Sequence, residues 1–305
     1  MKKLPLGLSQ REALWAYAFL ALPLAFFLFI RIWPALQAFQ ISFYQWHADP
    51  SQRQFIGLAN YWRMFHDPRF LQALRNTLFY TLLGVPAEVT FALAIALLLN
   101  SVGKRFRALF RAIYFAPYVT PPVAVAWTWF MLLNPHRGVV NRVLVALGLP
   151  PQPFLSDPAT ALPTVTAVVV WQFLGFHVLI FLAGLQNIPQ MYYEAAQIDG
   201  AHGWRLFRYI TLPLLKPMIA VSVLMATAGP SIGFLQLFTH VINLTWQNPG
   251  GPLGSTLTVL LYMYERAFGA FEMGYGAAIV VFLFFILALI SLIEFKVLGR
   301  KVEYR

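Results

Sequence analysis

The chain has 305 residues, of which 59% are hydrophobic and only 11% are charged. An average soluble domain carries about 25% charged residues, so this chain cannot dress a water-exposed surface and belongs in a bilayer. The net charge of +11 would suit nucleic acid in a soluble protein, but no basic-aromatic stripe tracks a nucleic-acid backbone here, and the basic residues flank apolar runs instead.

A hydrocarbon core about 30 Å thick takes about 20 apolar residues of helix. The first qualifying run is Leu14 to Pro34, preceded by Lys2, Lys3 and Arg11. It is longer than a signal-peptide core and no clean small-x-small site follows, so it reads as a retained helix. A long loop, Tyr44 to Arg75, comes next, with Arg53, Arg63 and Arg69 balanced in part by Asp49 and Asp67. The second run is Asn76 to Asn100 and ends at Lys104, Arg105, Arg107 and Arg111; the third is Ala112 to Leu133 and the fourth Ala161 to Leu185. The fifth, Pro217 to Thr245, follows Arg205, Arg208 and Lys216, and the last, Gly274 to Glu294, precedes Lys296, Arg300, Lys301 and Arg305.

These runs are continuous rather than alternating, which selects helices over barrel strands. The expectation is an all-α polytopic membrane protein, residues 1–305 forming one domain of six spans. Both termini and the second and fourth connections hold 14 of the 22 Lys and Arg residues. The positive-inside rule places those regions in the cytoplasm.

Several chemistries are excluded. Cysteine is absent, so no disulfide or thiolate metal site is available. No phosphate loop exists, since Gly103-Lys104 lacks the upstream glycine. His47, His66, His136, His177, His202 and His240 form no i, i+4 pair and, His66 beside Asp67 apart, have no adjacent carboxylate in the sequence, which argues against a metal or hydrolytic site. No catalytic residue and no metal ligand is assigned. Glu88 and His177 lie inside predicted spans and read either as a relay or solute contact, or as paired groups facing other helices.

The connection before the fifth run is the most informative stretch. Pro189 suits the first turn of a helix, Glu194-Ala195-Ala196 continues it, and Gly200 permits a bend at little steric cost. A second short helix bears Trp204, Phe207 and Ile210 about one turn apart, and Leu212-Pro213 returns the chain to the bilayer. At these residues the chain resembles the permeases of ABC importers. Glu194-Ala195-Ala196, Asp199-Gly200-Ala201 and Ile210-Thr211-Leu212-Pro213 match their E-A-A loop in order and spacing.

The resemblance extends to the carbohydrate branch, similar to the maltose and glycerol-phosphate permeases, and covers nearly the whole chain. It is carried by Phe55-Ile56-Gly57-Leu58-Ala59-Asn60-Tyr61, Asp67-Pro68 and Asn76-Thr77. Phe115-Ala116-Pro117, Trp127, Asn134-Pro135, Gly138 and Asn141 continue it, and Gly250-Gly251-Pro252, Thr256, Tyr264, Phe268 and Gly274-Tyr275 complete it. Residues 228–234 depart from the phenylalanine-aspartate pattern of many relatives, so the resemblance specifies the family more closely than the solute.

The resemblance implies a type I importer permease in a bacterial cytoplasmic membrane. Its partners are a second permease, two ATPases that hold ATP and Mg, and a periplasmic or lipid-anchored solute-binding protein; this chain binds no cofactor and no nucleic acid. Glu194, Ala195, Ala196, Asp199, Gly200, Ala201, Arg205, Leu212 and Pro213 are the implied ATPase-coupling residues, with Trp204 and Phe207 either docking or anchoring the loop. For the solute path, the fourth span offers Trp171, Gln172 and Phe176. The fifth offers Gly229, Pro230, Ser231, Gly233 and Gln236, where a helix break frees backbone groups. Aromatic faces beside amides and hydroxyls suit a sugar; a polyol phosphate ester is the alternative solute, and an ion-coupled carrier the alternative machine.

Overall fold

The computed structural model describes residues 10–46, 49, 53–227 and 234–298. In chain order the helices are α1 (Gln10–Phe27), α2 (Trp33–Ile41), α3 (Ala59–His66), α4 (Pro68–Phe79), α5 (Val85–Ser101), α6 (Lys104–Val119), α7 (Pro122–Leu132) and α8 (Val139–Ala146). They continue with α9 (Pro158–Gln186), α10 (Gln190–Ile198), α11 (Trp204–Leu206), α12 (Leu212–Leu214), α13 (Lys216–Thr227), α14 (Phe234–Leu244), α15 (Val259–Tyr264) and α16 (Met273–Leu298). One exception to an all-helical chain is the two-residue antiparallel pair β1 (Tyr44–Gln45) and β2 (Gln54–Phe55).

Among the described residues four helices are long and apolar enough to span a membrane: Trp15–Ile41, Pro68–Ser101, Pro158–Gln186 and Met273–Glu294. A fifth candidate is the pair Trp204–Leu214 and Lys216–Thr227, bent by 65°. Two differences from the sequence reading have local causes. The second span starts at Pro68 rather than Asn76, because Asp67 caps it by accepting from the Arg69 amide at 3.0 Å and proline suits the first turn. The third run is two helices, α6 and α7, divided at Thr120-Pro121-Pro122, where two consecutive residues lack an N–H. In the fifth run, α13 and α14 flank residues 228–233, which lie outside the described residues.

Besides the π-helical turn Glu265–Gly269 that follows α15, three helical segments contain such a turn internally: Leu28–Ile32, Tyr80–Gly84 and Phe207–Thr211. Each of these three is followed two residues later by a proline: Pro34, Pro86 and Pro213. The proline ring would meet the carbonyl four residues back, and the widened turn relieves that clash while the helix continues.

The chain divides into two compact units, residues 1–64 with 266–281, and 65–265 with 282–305. In the first, Arg63 pairs with both carboxylate oxygens of Glu272 at 3.1 and 3.0 Å and lies 4.2 Å above the Tyr275 ring. Arg53 lies over Tyr44 and Trp46. In the second, Arg69 pairs with Glu265 at 3.5 Å, and Asp67 accepts from the Tyr262 hydroxyl. Glu272, Glu265 and these rings therefore meet the loop arginines.

The second unit is built on α9. It packs along α5 and α6, and Gly175 allows so close an approach that an added Cβ would lie 1.9 Å from the Tyr114 carbonyl oxygen. An apolar cluster, including Ala92, Ala96 and Leu99 of α5 with Phe181, Leu182 and Leu185 of α9, is closed by Ile188 and Leu215 at the ends of the connection between α9 and α13.

Candidate functional site

The connection between α9 and α13 forms the structure its sequence specifies. Pro189 is the N-cap of α10 rather than a first-turn residue, and α10 runs from Gln190 to Ile198. The helix then ends in a Schellman turn. The Ala201 amide donates to Ala196 O at 2.8 Å and the Gly200 amide to Gln197 O at 3.0 Å, with Gly200 at φ +79°. Glycine takes that left-handed conformation without a Cβ clash. Gly203 makes a second left-handed turn at φ +52°, and α11 begins at Trp204.

The base of this loop is fastened and its outer face is not. Tyr192, Tyr193 and Leu214 pack against the apolar cluster, and the Tyr193 hydroxyl lies 3.1 Å from Thr211 Oγ1. Outward, Ile198 is 87% exposed, Trp204 72% and Met191 68%. Glu194, Ala195, Asp199, Gly200 and Arg205 are exposed, and Ala196, Ala201, Leu212 and Pro213 are half-buried. The exposed Trp204 packs on the half-buried Phe207 with ring centroids 5.0 Å apart. The exposed part of the loop thus combines Met191, Ile198 and Trp204 with the charged Glu194, Asp199 and Arg205.

The residues predicted for the solute path separate into two groups. Gln172 is fully buried; its Nε2 donates to Thr120 O at 3.0 Å and its Oε1 lies 2.5 Å from His240 Nε2. Phe176, one turn further along α9, stacks on Tyr118 at 5.1 Å. Trp171 projects elsewhere: it is 43% exposed, meets Trp129 edge-on at 5.3 Å and lines a cavity of about 320 Å³ with Leu133, Val140 and Phe154. Gly229, Pro230, Ser231 and Gly233 lie outside the described residues. Gln236 falls within α14, but its side chain lies outside them too.

Two partnerships are absent from the sequence reading. His240, the Gln172 partner, was signalled by periodicity, since Leu237, His240, Val241 and Leu244 share the buried face of α14. His177 has a carboxylate neighbour after all: Glu88, from α5, places Oε1 3.0 Å from His177 Nε2. His177 Nδ1 lies 2.7 Å from Ser222 Oγ of α13. Among the described residues no group of His, Cys, Asp and Glu could hold a metal ion.

Comparison with known proteins agrees with this geometry. The family of binding-protein-dependent transport system inner membrane components matches residues 88–304. The lactose transport system permease protein LacF of Rhizobium radiobacter is 35% identical over 282 residues, 92% of each protein. The arabinooligosaccharides transport system permease protein AraP of Bacillus subtilis strain 168 is 35% identical over 285 residues, 93% of this chain and 88% of that protein. Among solved structures, a bacterial ABC transporter involved in the import of the acidic polysaccharide alginate superposes with a TM-score of 0.78 at 25% identity, covering 96% of this chain and 98% of that one. With the family match running through the exposed loop and the helices on both sides of it, the chain belongs to the inner membrane components of binding-protein-dependent transport systems and is a transport subunit, not an enzyme.

Proposed function

We propose that this chain is one of two permease subunits of an ATP-driven importer that carries a carbohydrate across a bacterial cytoplasmic membrane. The observation that carries the proposal is the loop from Gln190 to Leu214. Its base is tied into the apolar cluster and its outer face presents Met191, Ile198 and Trp204 to solvent. In this reading the six apolar runs cross the membrane and both termini lie in the cytoplasm. A binding protein, periplasmic or lipid-anchored, delivers the solute, and two ATPases bind ATP and Mg. The outer face of the loop seats in one ATPase. Because Ile188 and Leu215 close the cluster beneath the loop, movement of α10 carries α9 and α13 with it as a packed body.

A carbohydrate is supported by the relatives, which are named for lactose and arabinooligosaccharides, and by the aromatic character of the α6, α7 and α9 region. Tyr118 stacks on Phe176 there, and Trp129 meets Trp171 in a separate pair. Apolar sugar faces stack on such rings.

The test is uptake into proteoliposomes containing this chain with the permease, ATPase and binding protein encoded beside it, screened over radiolabelled sugars, polyol phosphates and amino acids. Uptake of a sugar that requires both ATP and the binding protein supports the reading. Uptake of a polyol phosphate alone would reassign the solute, and uptake by this chain alone on an ion gradient would overturn the mechanism.

A further inference from the structure

Glu88, His177 and Ser222 form a line of polar groups across three helices, and all three side chains are fully buried. The order is that of an acyl hydrolase triad, but complete burial shuts out both substrate and water, so hydrolysis is not what it serves. The geometry also explains how such groups persist inside a membrane helix bundle. Placed with the proton on His177, the pair is a carboxylate beside an imidazolium; placed with it on Glu88, both are neutral. In either case the net charge is zero and Nδ1–H donates to Ser222 Oγ, so no uncompensated charge is buried.

Position gives the line its meaning. His177 stands on α9, which runs directly into the exposed loop, and Ser222 stands on α13, which leaves it. The apolar cluster lies between the triad and the loop. From Glu88, the α5 face continues to Ala92, Ala96 and Leu99; from His177, the α9 face continues to Phe181, Leu185 and Ile188; from Ser222, α13 runs back through Met218 to Leu215. Apolar contacts are non-directional and tolerate sliding of one helix along another. The 2.7 Å hydrogen bond between His177 and Ser222 and the buried 3.0 Å ion-pair contact between His177 and Glu88 do not, because polar contacts of this kind weaken steeply with distance and angle. A single buried polar contact in an apolar interface is a known means of fixing register.

We propose that Glu88, His177 and Ser222 are a register clamp that locks α13 to α9 and α5, so that displacement of the loop reaches the flanking helices without slippage. These are positioning residues, and the inference rests on the ATP-driven reading above. The buried Tyr80 hydroxyl makes no hydrogen bond among the described residues and is not part of the clamp.

The experiment measures uptake and ATP hydrolysis together in proteoliposomes of the full complex and reports their ratio. Ser222→Ala removes the α13 bond alone and leaves the Glu88–His177 pair in place. Its ratio is expected to fall about tenfold, within the range that changes along coupling networks produce, while hydrolysis stimulated by the binding protein continues. Glu88→Gln retains a hydrogen-bonding partner for His177 and is expected to keep the wild-type ratio, whereas Glu88→Ala loses it. The ratio is independent of how much complex assembles, so reduced yield of a variant does not obscure it. An unchanged ratio in Ser222→Ala would overturn the clamp, and so would uncoupling by Glu88→Gln equal to that by Glu88→Ala, which would assign the carboxyl a proton-carrying role. Absence of ATP-dependent uptake in the wild-type complex would instead refute the functional reading itself.

Discussion

Replacement of Gly200 separates the geometry of the loop from the demands of its partner. Gly200 sits at φ +79°, and a Cβ added there meets nothing within 4 Å in this chain. Gly200→Ala therefore carries only the left-handed backbone cost, about 1–2 kcal/mol. If that cost is met when the loop seats, ATPase association weakens about tenfold, since 1.4 kcal/mol is a factor of ten. Gly200→Pro is far more severe. Proline fixes φ near −65°, which the Schellman turn cannot accept, and it deletes the 3.0 Å bond to Gln197 O, worth about 1 kcal/mol. The turn is then lost altogether. Co-purification of the ATPase with tagged permease in detergent, followed by uptake assays, reads both variants. The expected result is graded weakening for alanine, and loss of association and uptake for proline with normal membrane insertion. Wild-type association by Gly200→Pro would refute the docking role of this turn.

Four further outcomes follow from specific contacts. Gln172→Ala removes the donor to Thr120 O and the 2.5 Å contact with His240, at about 1–3 kcal/mol for each buried group that loses its partner; thermal unfolding in detergent should report the loss, and uptake should fall equally for all solutes. Phe176→Ala, by contrast, is expected to change the relative uptake of different sugars, and an unchanged solute ranking would remove Phe176 from the path. Gly175→Ala forces α6 from α9 because its Cβ would lie 1.9 Å from Tyr114 O; a destabilisation of about 1–3 kcal/mol or more is expected, and a wild-type melting temperature would contradict the close packing. Glu272→Gln weakens a pair whose Arg63 side chain is 46% exposed, so less than about 1 kcal/mol is expected; a larger loss in the same melt would show that the pair is more sheltered than it is here.

What was legible in the sequence was what is encoded locally. The Gln190–Leu214 loop could be read because its turn depends on Gly200 and its helix on the residues just before it. The fourth run matched α9, and the last matched Met273–Glu294, because each is one unbroken apolar helix. The second span was read too short because Arg69, Gln72 and Arg75 on its first turns lower the hydropathy, although Asp67-Pro68 marked its true start. The third run read as continuous because apolarity carried across Pro121-Pro122. Contacts distant along the chain were not legible. Glu88 and His177 could each be recognised as intramembrane polar groups, but their pairing depends on how α5 packs on α9. Likewise Gln172 reads as a solute contact until His240 and Thr120 are seen to occupy its amide.

Because the chain contains no cysteine, a single introduced thiol reports one position without background. Ile198→Cys, at the most exposed apolar position of the loop, should form a crosslink to the ATPase with a short bifunctional reagent, and its yield should change with nucleotide. A cysteine at Leu253, in the connection between α14 and α15 that the proposed topology puts in the periplasm, is also exposed and should give none. Nucleotide-sensitive crosslinking at Ile198 and silence at Leu253 is the predicted result. Equal yields at both positions, or no crosslink from Ile198 in a complex that transports, would contradict the assignment of this loop as the seat of the ATPase.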